Sequence, residues 1–176
     1  MSLDQRAGHP GIASMFQFEI DPEASKAVRY ARLLEAAEAL TADEADTVAA
    51  MANLAALLWQ GLPDLNWAGF YRVLDGGLVL GPFIGKPACV RIAAGRGVCG
   101  AALATGQTQC VADVHAFPGH IACDAASRSE LVVPVFASGG AVSHVIDLDS
   151  PVAGRFDAED AAGIEALARR IGPRLS

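Results

Sequence analysis

The sequence predicts an α+β domain, with helices packed on a largely antiparallel sheet of about six strands. Three observations carry this expectation. Apolar residues recur at helical spacing near both ends of the chain, and the middle breaks into short runs rich in β-branched and aromatic residues. Paired glycines separate two pairs of those runs at hairpin spacing, in Asp75-Gly76-Gly77 and Ser138-Gly139-Gly140.

The elements follow in order. Residues 1–19 lack an apolar period and read as a flexible N-terminal leader, while 20–176 read as one domain. Asp21 followed by Pro22 is a helix start, because Asp accepts from free N–H groups and Pro tolerates the first helical position, so a helix is expected to run to about Leu40. Thr41 with Glu44 forms a capping-box pattern ahead of Val48, Met51, Ala55 and Leu58, which predicts a second helix ending at Gly61. Strands are expected near 66–73, 78–84, 89–92, 109–111, 130–136 and 141–149. A short helix over Val98–Thr105 interrupts them, and a last helix opens at Asp157, aligns Ile164, Leu167 and Ile171 on one face, and stops at Pro173.

Composition narrows the function. The chain has 176 residues, 52% of them hydrophobic, which suits one well-buried core. Its net charge of −7 and lack of any Lys/Arg cluster oppose a nucleic-acid partner. No apolar stretch approaches the roughly 20 residues that span a bilayer, and a cytoplasmic location is expected. Four cysteines in a chain of this size do not form a disulfide-framework pattern, so they are inert, catalytic or metal-bound. With no Cys-x-x-Cys and no His-x-x-x-His pair, no metal site is expected.

A cysteine reacts as thiolate, and an unperturbed thiol with pKa near ~8.5 is only slightly ionised at neutral pH. Cys99 sits at a predicted helix start, where the dipole favours negative charge, so local physics alone singles it out. Cys123 lies in a turn-like stretch with His120 three residues before it. Cys89 and Cys110 fall in predicted strands, where a cysteine ordinarily behaves as a small buried hydrophobe. In Ile146-Asp147-Leu148-Asp149, strand alternation puts both aspartates on one side, a pattern that in isolation ordinarily marks a wet sheet face. Gly95-Arg96-Gly97-Val98-Cys99-Gly100 suggests a phosphate loop only weakly, since the Lys-Ser/Thr ending is missing.

Taken together and in order, Asn66-Trp67-Ala68-Gly69-Phe70-Tyr71, Leu80-Gly81-Pro82-Phe83, Gly85-Lys86-Pro87-Ala88-Cys89, Gly95 to Gly100, Pro118 to Asp124, Ser127-Arg128-Ser129-Glu130 and Asp147-Leu148-Asp149-Ser150 closely resemble the free methionine-(R)-sulfoxide reductases. The resemblance spans about residues 20–170. It implies a GAF-like central antiparallel sheet with packed helices, a homodimer, and reduction of free methionine sulfoxide with thioredoxin as the external reductant and no bound cofactor. Position by position, it implies that Cys123 is the nucleophile, Cys89 the resolving thiol and Cys99 an auxiliary cysteine. It puts Glu130, Asp147 and Asp149 at an acidic substrate site and Trp67 and Tyr71 on an aromatic wall. Cys110 and Ser143-His144 depart from the pattern, which carries aliphatic residues or glycine there. The competing expectation is a non-catalytic GAF ligand-binding or redox-sensing domain, which would not need three cysteines in this arrangement.

Overall fold

A computed structural model describes residues 18–119 and 124–175 of the chain. Two helices, α1 (Lys26–Thr41) and α2 (Thr47–Gly61), precede β1 (Trp67–Leu74), β2 (Gly77–Gly85) and β3 (Arg91–Ala93). Then come α3 (Gly97–Thr105), β4 (Gln109–Val111), β5 (Ser129–Phe136), β6 (Val142–Ser150) and α4 (Ala158–Ile171). The six strands form one sheet in the order β3-β2-β1-β6-β5-β4, and every neighbouring pair is antiparallel. Helices packed on one antiparallel six-stranded sheet are the α+β architecture the sequence predicts.

Two helix starts differ from the sequence reading. Asp21 accepts the Glu23 N–H in a local turn, and α1 begins after Ser25, whose hydroxyl accepts from Val28 N. Thr41 remains inside α1, where its hydroxyl donates to the Ala37 carbonyl. The cap of α2 is Asp46, which accepts from Val48 and Ala49 at 2.8 and 3.0 Å. Asp caps at least as well as Thr and here lies directly against the apolar run, so it wins. Both glycine turns form hairpins, and Asp75 and Gly76 both take positive φ, as a tight turn matched to strand twist requires. Helix α4 starts as expected at Asp157, with a capping box closed by Asp160.

Strand alternation sorts the side chains between two faces. Ala68, Phe70, Leu131, Val133, Ile146 and Leu148 turn toward α1, α2 and α4 and build the larger core. Trp67, Tyr71, Val132 and Val145 turn to the other face, which α3 covers with Val98, Cys99 and Ala102. Helices α1 and α4 are tied by the buried carboxylate of Asp160, which accepts from Tyr30 Oη at 2.7 Å, Lys26 Nζ at 2.7 Å and Arg155 at 3.3 Å.

The Tyr30 ring lies directly over Gly163 of α4, so an added Cβ there would fall inside the ring's contact envelope. Replacing a helical glycine by alanine ordinarily gains up to about 1 kcal/mol, but overpacking costs about 1–3 kcal/mol. Gly163→Ala should therefore lose about 1 kcal/mol net and lower Tm by about 2–4 °C in a thermal melt.

Candidate active site

The site is built by register on the α3-covered face. Trp67 pairs with Asp149, and Asp149 pairs with Glu130, so these three lie in one row across β1, β6 and β5. In the next row Gly69 pairs with Asp147, and Asp147 with Val132. Helix α3 closes over both rows and delivers Cys99. One pocket results, with Trp67, Tyr71, Cys99, Glu130, Asp147 and Asp149 all in its wall. An added Cβ on Gly69 would collide with Phe83 and Trp67, so the absence of a side chain there leaves room for the Trp67–Phe83 stack, with centroids 5.1 Å apart.

The Asp-x-Asp pair is not on a wet face. β6 is an interior strand, Asp147 is buried and Asp149 is half-buried. Glu130 is buried too, and Cys99 Sγ donates to its Oε1 at 3.9 Å. Burial first, and then the charges of Asp147 and Asp149, push the Glu130 carboxyl well above the ordinary carboxylate range. Burial raises Asp149, with the charges of Asp147 and Asp124 adding to it and a hydrogen bond from Ser127 opposing. Asp147 is raised by burial to about 6, while hydrogen bonds from Cys99 and Glu130 hold it down. The directions assign the roles within the cluster: Glu130 keeps its proton and donates to an ionised Asp147.

Cys99 reverses the expectation drawn from its helix start. It does stand in the first turn of α3. Yet its thiol is pushed well up by burial, and then by Asp147 and Glu130. The dipole contributes about 0.3–1 kcal/mol, whereas a carboxylate about 4 Å away costs a thiolate on the order of 4 kcal/mol at an effective dielectric near 20. The acids win, and Cys99 stays a thiol at neutral pH.

The other cysteines sit differently. Cys89 is half-buried and lies in the loop before β3 rather than in the strand, packed against the core on the site's face. Cys110 does fall in β4, but it is exposed, unlike the small buried hydrophobe its strand position suggested, and its thiol donates to the Phe156 carbonyl. β4 is one of the two edge strands, paired on one side only. Cys123 and His120 lie outside the described residues; Asp124, next in sequence to Cys123, lines the pocket.

Sequence reasoning gave no role to the residues that frame this wall. Asp124 accepts from Lys86 Nζ at 3.0 Å and from Asn66 Nδ2 at 3.2 Å, and Asn66 also reaches Ser127 Oγ at 3.0 Å. Lys86 in turn offers its carbonyl to Trp67 Nε1 at 3.1 Å. These bonds join the Lys86 loop, the start of β1 and the residue after Cys123. Asn66, Lys86, Asp124 and Ser127 all stand in the motifs quoted above, but only their convergence reveals a shared frame. Arg96, which also lines the pocket, had no signal beyond its place in a glycine-rich loop.

The fold and this acidic, thiol-bearing pocket define a GAF-domain protein, and the GAF domain family model matches residues 41–175. A free methionine-R-sulfoxide reductase of Escherichia coli is 52% identical over 142 residues, covering 81% of this chain and 86% of that protein. The X-ray structure of free methionine-R-sulfoxide reductase from Neisseria meningitidis in complex with its substrate superposes with a TM-score of 0.84 at 44% identity, over 90% of this chain and 96% of that one. A GAF-domain protein of known crystal structure from Burkholderia vietnamiensis reaches a TM-score of 0.82 at 60% identity, over 85% and 94%. The chain belongs to the free methionine-R-sulfoxide reductases, a family of GAF-domain oxidoreductases.

Proposed function

We propose that this protein reduces free L-methionine-(R)-sulfoxide to methionine by thiol chemistry, with Cys123 as nucleophile. The observation that carries the reading is the pocket whose wall brings Glu130, Asp147 and Asp149 together with Trp67 and Tyr71, where burial raises all three carboxyls. Cleaving a sulfur–oxygen bond needs a proton on oxygen and a soft nucleophile at sulfur. Glu130 and Asp149 protonate and polarise the sulfoxide oxygen, Asp147 pairs with the substrate ammonium, and the aromatic wall receives the methyl group. That ammonium offsets the remaining negative charge of the cluster.

The Cys123 sulfur attacks the sulfoxide sulfur, the oxygen passes to the cysteine as a sulfenic acid, and methionine leaves. Cys89 then condenses with the sulfenic acid, forming a disulfide and releasing water. A dithiol reductant of the thioredoxin class restores both thiols. The two cysteines are 34 positions apart, and the loop carrying Cys89 moves during turnover. Cys99 acts as an auxiliary residue, donating to Glu130. The protein works as a homodimer in the cytoplasm and carries no resident cofactor; among the described residues no helix is long and apolar enough to cross a membrane.

The test supplies free and N-acetylated methionine sulfoxide, each as separate R and S forms, with a thioredoxin system, and follows methionine directly. Only the free R form should be consumed, because acetylation removes the ammonium that pairs with Asp147. Equal use of the acetylated form would overturn the pocket assignment. Oxidation of the cysteines by peroxide without methionine release would leave a redox sensor instead.

A further inference from the structure

We infer that Cys99, Glu130 and Asp147, in the wall of the same pocket, form a site for a thiophilic divalent cation, Zn²⁺ first among them. The sequence gives no hint of this, since none of the three is near another in a metal-ligand spacing. The fold gathers them. One ligand atom from each, a thiol sulfur and two carboxylate oxygens, lies within 4.8 Å of the others, and all three residues are buried.

Geometry and donor type select the ion. In a tetrahedral zinc site with Zn–S near 2.3 Å and Zn–O near 2.1 Å, sulfur and oxygen ligands stand about 3.6 Å apart. Cys99 Sγ and Glu130 Oε1 are already 3.9 Å apart, so the ion requires a contraction of a few tenths of an ångström on that edge. One sulfur donor with two oxygens discriminates against Mg²⁺ and Ca²⁺, which take six or more oxygens, and favours zinc or cadmium. An independent observation points the same way: among the described residues, Asp147 Oδ1 is buried without a hydrogen-bond partner. Asp147 lines the pocket, more than nine-tenths of the residue is shielded from solvent, and a buried oxygen left unpaired gains from a cation. Three protein ligands would leave a fourth tetrahedral position to water.

The inference shares its pocket with the proposed reduction but needs no turnover, so the two fail separately. The experiment titrates Cd²⁺ and Zn²⁺ into reduced, metal-free full-length chain in which Cys89, Cys110 and Cys123 are serine, leaving Cys99 as the one thiol. Cd²⁺ should develop thiolate charge-transfer absorption that saturates at one ion per chain. Asp147→Asn and Glu130→Gln in that background should weaken Zn²⁺ binding by more than the roughly 10–100-fold that outer-shell partners cost. As a second measurement that does not depend on the variants folding, X-ray absorption of the unaltered chain loaded with one Zn²⁺ should show one sulfur with oxygen neighbours. The inference is overturned by an absent charge-transfer band, by affinity indifferent to Asp147→Asn, or by two sulfurs around zinc in the unaltered chain. A chain without reductase activity that still binds Cd²⁺ through Cys99 would sink the proposed reduction and leave the metal site standing.

Discussion

Exchanging Cys123 for serine is expected to abolish methionine release entirely, even in a single turnover with enzyme in excess. In the proposed reaction the Cys123 sulfur accepts the oxygen, and a serine hydroxyl cannot be oxidised in its place. Cys89→Ser should behave differently: one methionine per chain in a rapid first turnover, then arrest as the sulfenic acid finds no partner. Quenched-flow product analysis separates the two, and mass spectrometry of the stalled Cys89→Ser chain should find one added oxygen. Cys99→Ser should still complete the first turnover, since its buried thiol is held protonated among acids. Undiminished multiple turnover by Cys123→Ser would move the nucleophile elsewhere in the chain.

The second large effect concerns Glu130, the proposed proton donor. Glu130→Gln keeps the shape and removes the acidic proton, and should lower kcat/KM by about 10²–10⁴-fold, the usual share of general acid catalysis. The same substitution has a signature in stability. Glu130 has its pKa raised in the folded protein above the ordinary 4.5, so the native state holds a proton that the unfolded chain has lost. Stability contributed by that proton is present below the unfolded value and is lost as pH climbs toward the folded one. Asp147, raised to about 6, and Asp149 act in the same direction. Urea denaturation should thus show the unaltered protein losing stability from about pH 4.5 upward, and Glu130→Gln should flatten that decline. An identical pH slope in both proteins would mean that Glu130 is ionised in the folded state.

What could be read in advance depended on the range of the interaction. The two hairpins, the start of α4 at Asp157 and the end of α2 at Gly61 are decided within a few residues of chain, and they stand where the sequence put them. The starts of α1 and α2 moved because several Asp, Ser and Thr residues compete there as caps, and the choice depends on where each helix packs. Cys89 and Cys110 show the same limit. Whether a short apolar run becomes strand or loop, and whether a strand is interior or edge, is a property of its neighbours in the sheet.

By itself the sequence determined the alternation that puts Asp147 and Asp149 on one side of β6, the α+β class, and the order of motifs that marks the family. Only the tertiary structure decided that this side is closed by α3 and therefore dry. The physical reason is that a carboxyl or thiol takes its protonation from burial and from charges brought near by distant segments. Cys99 lies 31 positions from Glu130 and 48 from Asp147 in the chain, yet its ionisation is set by burial beside them rather than by the helix turn in which it sits.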